Sequence, residues 1–190
     1  MLLRPLMVAL ALGLAGPVAA STITWTSPLA PEVAGATGTG STTVIYDDVA
    51  HTLNITASWS GLSGTTTVAH IHCCVATPGT GTVAVAVTPV ALPGFPVGVT
   101  SGSYSTVLDL TATATYTSGF VTNFGGGTLA GAEAALVAGL NAGRAYFNVH
   151  SSTFGGGEIR GFPALVPEPS ATMLLLCLGL TRIAARRRLE

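Results

Sequence analysis

Thr52-Leu53-Asn54-Ile55-Thr56-Ala57-Ser58-Trp59-Ser60 alternates without a break: Leu53, Ile55, Ala57 and Trp59 share one face, and Thr52, Asn54, Thr56 and Ser58 the other. Successive side chains of an extended chain point to opposite sides, so this stretch predicts a strand with one face on a core and one in water. Upstream, the β-branched run Thr42–Asp47 predicts a partner strand, and Asp47-Asp48-Val49-Ala50 supplies the hairpin connection. Further strands are expected at 23–25, 68–72, 83–87, 104–110, 145–150 and 158–160. Turn chemistry separates them at Gly61-Leu62-Ser63-Gly64, Pro78-Gly79, Pro93-Gly94-Phe95-Pro96 and Gly155-Gly156-Gly157. One stretch reads as helix: Leu129–Asn141, rich in alanine, with Thr128 as N-cap and Gly143 just past its end. Short strands with one inserted helix predict an all-β chain, an antiparallel β-barrel or sandwich.

Composition agrees. The 190 residues suit one domain; 48% are hydrophobic and only 8% charged, with 24 glycines, 11 prolines and no lysine. So few charges beside so many small and hydroxyl residues exclude a disordered chain, a coiled coil or a nucleic-acid binder. Five of the seven arginines lie near the two ends, and residues 21–166 carry two arginines against six acids.

Both ends read as addresses. Arg4, the apolar run Leu6–Gly16 and the small residues Val18-Ala19-Ala20 form a secretory signal peptide over residues 1–20, cut by signal peptidase after Ala20. At the other end Val166-Pro167-Glu168-Pro169-Ser170 precedes the apolar stretch Ala171–Leu180 and the cluster Arg186-Arg187-Arg188. Two prolines end any strand, and the arginines keep their end on the cytoplasmic side of a membrane. Residues 166–190 resemble the PEP-CTERM sorting signal of Gram-negative bacteria, and a plain membrane anchor is the alternative. The resemblance implies a precursor held in the inner membrane by a short transmembrane stretch, cut by an exosortase near Pro167-Glu168-Pro169, and released to the outer envelope or extracellular matrix. An association with exopolysaccharide also comes only from that resemblance. The expected division is signal peptide 1–20, β domain 21–166 and sorting signal 167–190.

Within the β domain, Gly61-Leu62-Ser63-Gly64, Val68-Ala69-His70-Ile71-His72, Ala145-Tyr146-Phe147-Asn148-Val149-His150 and Gly156-Gly157-Glu158-Ile159-Arg160-Gly161 follow one another in that order. The series is similar to the CHRD (chordin-type) domain and spans residues 22–162. It implies an immunoglobulin-like, Greek-key β-barrel, and little about activity.

His70 and His72 are the sharpest chemical feature. Two residues apart in a strand, their imidazoles leave the same face with Cα atoms about 6.6 Å apart, a chelating arrangement. In the later strand Tyr146, Asn148 and His150 share a face opposite Phe147 and Val149. If the two strands are neighbours, three imidazoles converge on one ion, and Glu158 or Cys73 completes a tetrahedral set; such ligands indicate copper or zinc. The competing reading is structural, with these side chains hydrogen-bonded to Glu158, Asn148 and nearby hydroxyls. His51, beside Asp47 and Asp48, reads as a turn residue. Four histidines, three of which can meet, are too few for the dinuclear site of a copper–zinc superoxide dismutase.

Cys73 and Cys74 are adjacent, and Cys177 belongs to the tail. An even pair in an oxidising compartment suggests a disulfide. Adjacent Cα atoms lie about 3.8 Å apart across a trans peptide, below the usual range for a bridge, so a vicinal disulfide forces a tight turn after His72. Two alternatives stay open: one thiol joins the histidines, or both cysteines are small apolar residues. No serine sits in a Gly-x-Ser-x-Gly elbow, and neither glycine triplet is followed by lysine. Glu158 and Arg160 read as residues paired to neighbours at a strand edge. The leading expectation is a non-enzymatic structural or adhesive protein of the cell surface, with no certain cofactor. A copper- or zinc-binding module is the alternative, and a copper oxidoreductase a distant third.

Overall fold

The structure is a computed structural model that describes residues 22–88 and 90–167. Ala20, Glu168, Pro169, Arg186, Arg187 and Arg188 lie outside the described residues. Among those described, no helix is long and apolar enough to cross a membrane. In chain order the elements are β1 (Thr22–Pro31), β2 (Thr39–Asp47), β3 (Thr52–Ser60), β4 (Thr66–Cys73), β5 (Val85–Val87), β6 (Gly102–Asp109), a 3-10 turn (Thr113–Thr115), α1 (Ser118–Asn123), α2 (Leu129–Asn141), β7 (Ala145–Ser151), β8 (Ile159–Gly161) and β9 (Ala164–Leu165).

Alternation works as the sequence predicts in β3. Leu53, Ile55, Ala57 and Trp59 are buried while Thr56 and Ser58 are exposed. The strands form one curled antiparallel sheet in the order β5-β4-β7-β8-β1-β2-β3-β6, with β9 also paired to β1; β7 is buried on both faces and so does not alternate. β1 is the seam. Thr22–Leu29 pair with β2, whereas Ala30 and Pro31 pair with β8, so one strand feeds both halves of the curl. Pro28 has no N–H to give a ladder, and it falls in the gap on that edge between the β9 partners Trp25 and Thr26 and the β8 partners Ala30 and Pro31. Gly161 completes the corner, since a Cβ there would collide with the Pro28 carbonyl oxygen.

Between the two halves lies the core, where Trp25, Val44, Leu53, Ile55, Phe147, Val149 and Ile159 are 0% exposed. Each such side chain is worth about 1.5–3 kcal/mol of transfer free energy. Outside, Thr26, Thr43, Thr56 and Ser105 stand in register across β1, β2, β3 and β6, and Ser41, Ser58 and Ser103 form a second row. Hydroxyls replace charges on this wet face, which is where the unusual composition goes.

α2 occupies the expected residues. Thr128 caps it by accepting from Gly131 N–H at 3.0 Å, and Ala132, Leu136, Gly139 and Leu140 form its buried stripe. α1 was not expected: Gly119, Val121 and Thr122 are poor helix formers, and the turn depends on the Thr117 cap and on burial of Phe120. α2 is tied to the β2–β3 hairpin through Glu133, which accepts from Tyr46 Oη at 2.7 Å and meets His51 Nδ1 at 2.9 Å. Burial and the Glu133 contact push the Tyr46 hydroxyl up to about 12.

The Glu133 hydrogen bond and charge, helped by Asp48 and Asp109, raise the His51 pKa above its ordinary value of 6.5. The folded pKa lies above the unfolded one, so this contact stabilises fully below about pH 6.5 and fades as the pH rises through the folded value. A His51→Gln variant should therefore lose more melting temperature against the parent at about pH 5 than at about pH 9. Equal losses at both would show that the hairpin does not depend on this ion pair.

Candidate metal centre

β4 lies between β5 and β7, and its register with β7 places Val68 opposite His150, His70 opposite Asn148 and His72 opposite Tyr146. Ala69 and Ile71 therefore point into the core with Phe147 and Val149. His70, His72, Tyr146, Asn148 and His150 emerge together on the other face. That face is not wet. The connection from β4 to β6, which carries β5, covers it and leaves His70 and His72 each 8% exposed and His150 9%. The pairing that the convergence requires is present, since β4 and β7 are neighbours, and ring nitrogens of all three histidines lie within 4.8 Å of one another.

Each ring is committed through its other nitrogen. His70 Nε2 lies 3.1 Å from the Val90 carbonyl, His72 Nδ1 2.7 Å from the Val83 carbonyl and His150 Nδ1 2.9 Å from the Gly155 carbonyl. A carbonyl oxygen only accepts, so the nitrogen facing it carries the hydrogen, and the second nitrogen of a neutral ring is then a bare lone pair. The three lone pairs sit on His70 Nδ1, His72 Nε2 and His150 Nε2. His70 Nδ1 and His150 Nε2 face each other at 3.3 Å, and buried His72 Nε2 has no hydrogen-bond partner. Burial lowers the pKa of His70, against the pull of the Val90 carbonyl, and the His150 and His72 charges lower it further. Burial likewise lowers His72, outweighing Val83, Asn148 and Glu32. Both rings are neutral at pH 7. The result is a pocket of acceptors with no donor among them, the arrangement in which metal-binding histidines are held by outer hydrogen bonds.

Two residues expected as a fourth ligand stand elsewhere. Cys73 points to the core side, and its sulfur is joined to that of Cys74 across a cis peptide. Both sulfurs pack on α2 at Gly139, where a Cβ would collide with Cys73 Sγ. Glu158 is fully buried and accepts from Ser63 N–H at 2.5 Å and Gly64 N–H at 3.4 Å. Burial pushes its carboxyl up, but hydrogen bonds from Ser151, Ser63 and Gly64 together hold it below the ordinary value. Arg160 pairs with Glu32 at 3.2 Å, donates to the Gly81 carbonyl at 2.9 Å and lies over the rings of Tyr146 and Phe162. The Val83, Val90 and Gly155 carbonyls carried no sequence signal, because every residue has one. Glu32 carried none either, being 116 residues from the Asn148 it meets.

Glu158 thus fastens the β3–β4 turn to β8. Glu158→Gln turns an amide donor toward backbone donors and should cost about 1–3 kcal/mol, read as a lower melting temperature at pH 7. An unchanged melt would mean that the turn is held by other contacts.

A family model for the CHRD domain matches residues 24–162, and one for the PEP-CTERM protein-sorting motif matches residues 165–188. No curated protein and no solved structure matches the chain. The motif marks an exported protein sorted by exosortase. The CHRD match takes in β4, β7 and β8 with all three histidines, and it covers most of the sequence: the chain belongs to the CHRD-domain family.

Proposed function

We propose that this exported CHRD domain is a metal-binding module in which His70, His72 and His150 hold one copper or zinc ion. The observation that carries the reading is the convergence of three buried lone pairs whose rings are fixed by the Val90, Val83 and Gly155 carbonyls. Two metal–nitrogen bonds of about 2.0–2.1 Å at a tetrahedral angle place their nitrogens about 3.3–3.4 Å apart. His70 Nδ1 and His150 Nε2 are 3.3 Å apart. His72 offers its own ligand nitrogen within 4.8 Å of both. Neutral imidazole suits copper and zinc over calcium or magnesium, which demand oxygen.

For the whole chain we propose a secreted component of the outer envelope or matrix, with residues 1–20 removed on export and the tail from 167 holding the precursor at the inner membrane. A non-enzymatic structural or adhesive role is supported by the hydroxyl rows of β1, β2, β3 and β6, which offer an uncharged surface to neutral polymers such as exopolysaccharide.

Elemental analysis of the full chain, loaded separately with copper and zinc and then dialysed, tests the centre. The parent should retain about one equivalent of one metal, and His70→Ala/His72→Ala none, with the circular dichroism of both folded. A folded parent that retains neither metal would falsify the reading and leave the histidines as structural residues.

A further inference from the structure

We propose that the ion in this centre carries an exchangeable water as its fourth ligand, seated against Asn148 Oδ1. The inference rests on the three-histidine reading and adds the coordination position which that reading leaves open. A tetrahedral ion with three protein nitrogens has one vacancy, and what faces the vacancy decides what fills it.

Asn148 stands in the middle of the covered face, opposite His70 on β4 and Arg160 on β8, and is 1% exposed. Its amide orientation is set from behind. Asn148 Nδ2 lies 3.5 Å from Glu32 Oε2, and a carboxylate only accepts, so the NH2 group must be the end that faces Glu32. Arg160 Nη1 fixes Glu32 through the other oxygen at 3.2 Å. Gly157, at φ +126°, makes room for this pair, because a Cβ there would collide with Glu32 Oε2 and come within 2.8 Å of Asn148 Nδ2. Asn148 Oδ1 is thereby turned away from Glu32, and it is buried with no donor. His72 Nε2, on the neighbouring side chain, is likewise buried without a partner.

A buried acceptor without a donor is costly, and none of the three histidine nitrogens that remain carries a hydrogen to offer. A water bound to the ion supplies one: its oxygen fills the vacancy and one of its hydrogens goes to Asn148 Oδ1. Asn148 and Glu32 are then positioning residues for the exogenous ligand. An acceptor at this spot favours a ligand that carries a hydrogen over a bare anion.

Cobalt(II), whose visible spectrum reports its coordination, is the probe, and azide is the competing ligand, both with the full chain. Azide should change the cobalt spectrum saturably in the parent. Asn148→Leu should keep about one equivalent of cobalt and bind azide about tenfold more tightly, since the bound water loses its acceptor. One equivalent of cobalt with a spectrum indifferent to azide overturns this inference and leaves the three-histidine centre standing; that measurement needs no variant. Azide affinity unchanged in a folded Asn148→Leu overturns the role of Asn148. A parent that binds no cobalt, copper or zinc removes the centre and this inference together.

Discussion

Three hydrogen bonds from imidazole to backbone carbonyl set the chemistry of this domain. An uncharged imidazole has one hydrogen to place, and at His70, His72 and His150 the Val90, Val83 and Gly155 carbonyls take it. Those carbonyls come from two separate connections, the one covering β4 and the turn between β7 and β8. Loops that look like simple covers therefore hold the ring tautomers. Had the Val90 or the Gly155 carbonyl been absent, His70 and His150 at 3.3 Å would form an ordinary hydrogen bond with each other and the cluster would be a structural knot. The metal-binding and the structural reading of the same residues differ by the position of a single hydrogen.

Which residues belong to the cluster follows from the pleat. His70 and His72 leave one side of β4 and Cys73 the other, so the cysteine pair serves the packing of α2 at Gly139 rather than the centre. The turn before β8 delivers Glu158 to the β3–β4 turn, where Ser63 and Gly64 offer amide hydrogens that no histidine lone pair can offer. A carboxylate in the interior goes where donors are, because leaving it unpaired is prohibitive. The β1 seam makes the remaining contact possible. Glu32 follows directly on Pro31 at the corner and its amide donates to the Glu158 carbonyl, which sets its side chain behind Asn148.

Much of this was legible from local pattern. Period-two alternation located β3 and set His70 with His72, and Thr128 with Gly143 marked the limits of α2. These features are written in neighbouring residues, where backbone geometry translates spacing into faces directly. What stayed hidden depends on distant partners or on groups every residue possesses. α1 is built of weak helix formers and exists because Phe120 is buried. The seam in β1 appears only when β9 and β8 take successive stretches of one edge, at Trp25–Thr26 and Ala30–Pro31. A sequence lists side chains, and the atoms that lock the histidines are main-chain oxygens. Glu158 and Cys73 were attractive as ligands by residue type alone, and type without facing was not enough.

The scarcity of charge connects the centre to the rest of the molecule. Three imidazoles bring no negative charge to the site, and the carboxylate nearest through the hydrogen-bond chain, Glu32, is shared with Arg160. Glu133 is engaged with Tyr46 and His51 at α2, and Glu158 with the β3–β4 turn. On the proposed metal-binding reading, such a site would hold an ion by nitrogen lone pairs instead of by counter-charge, which suits copper or zinc. The hydroxyl rows on β1, β2, β3 and β6 show the same economy of charge at the surface, where threonine and serine satisfy water without ionising. If the three histidines hold an ion as proposed, neutral groups on both faces would leave its choice to coordination chemistry.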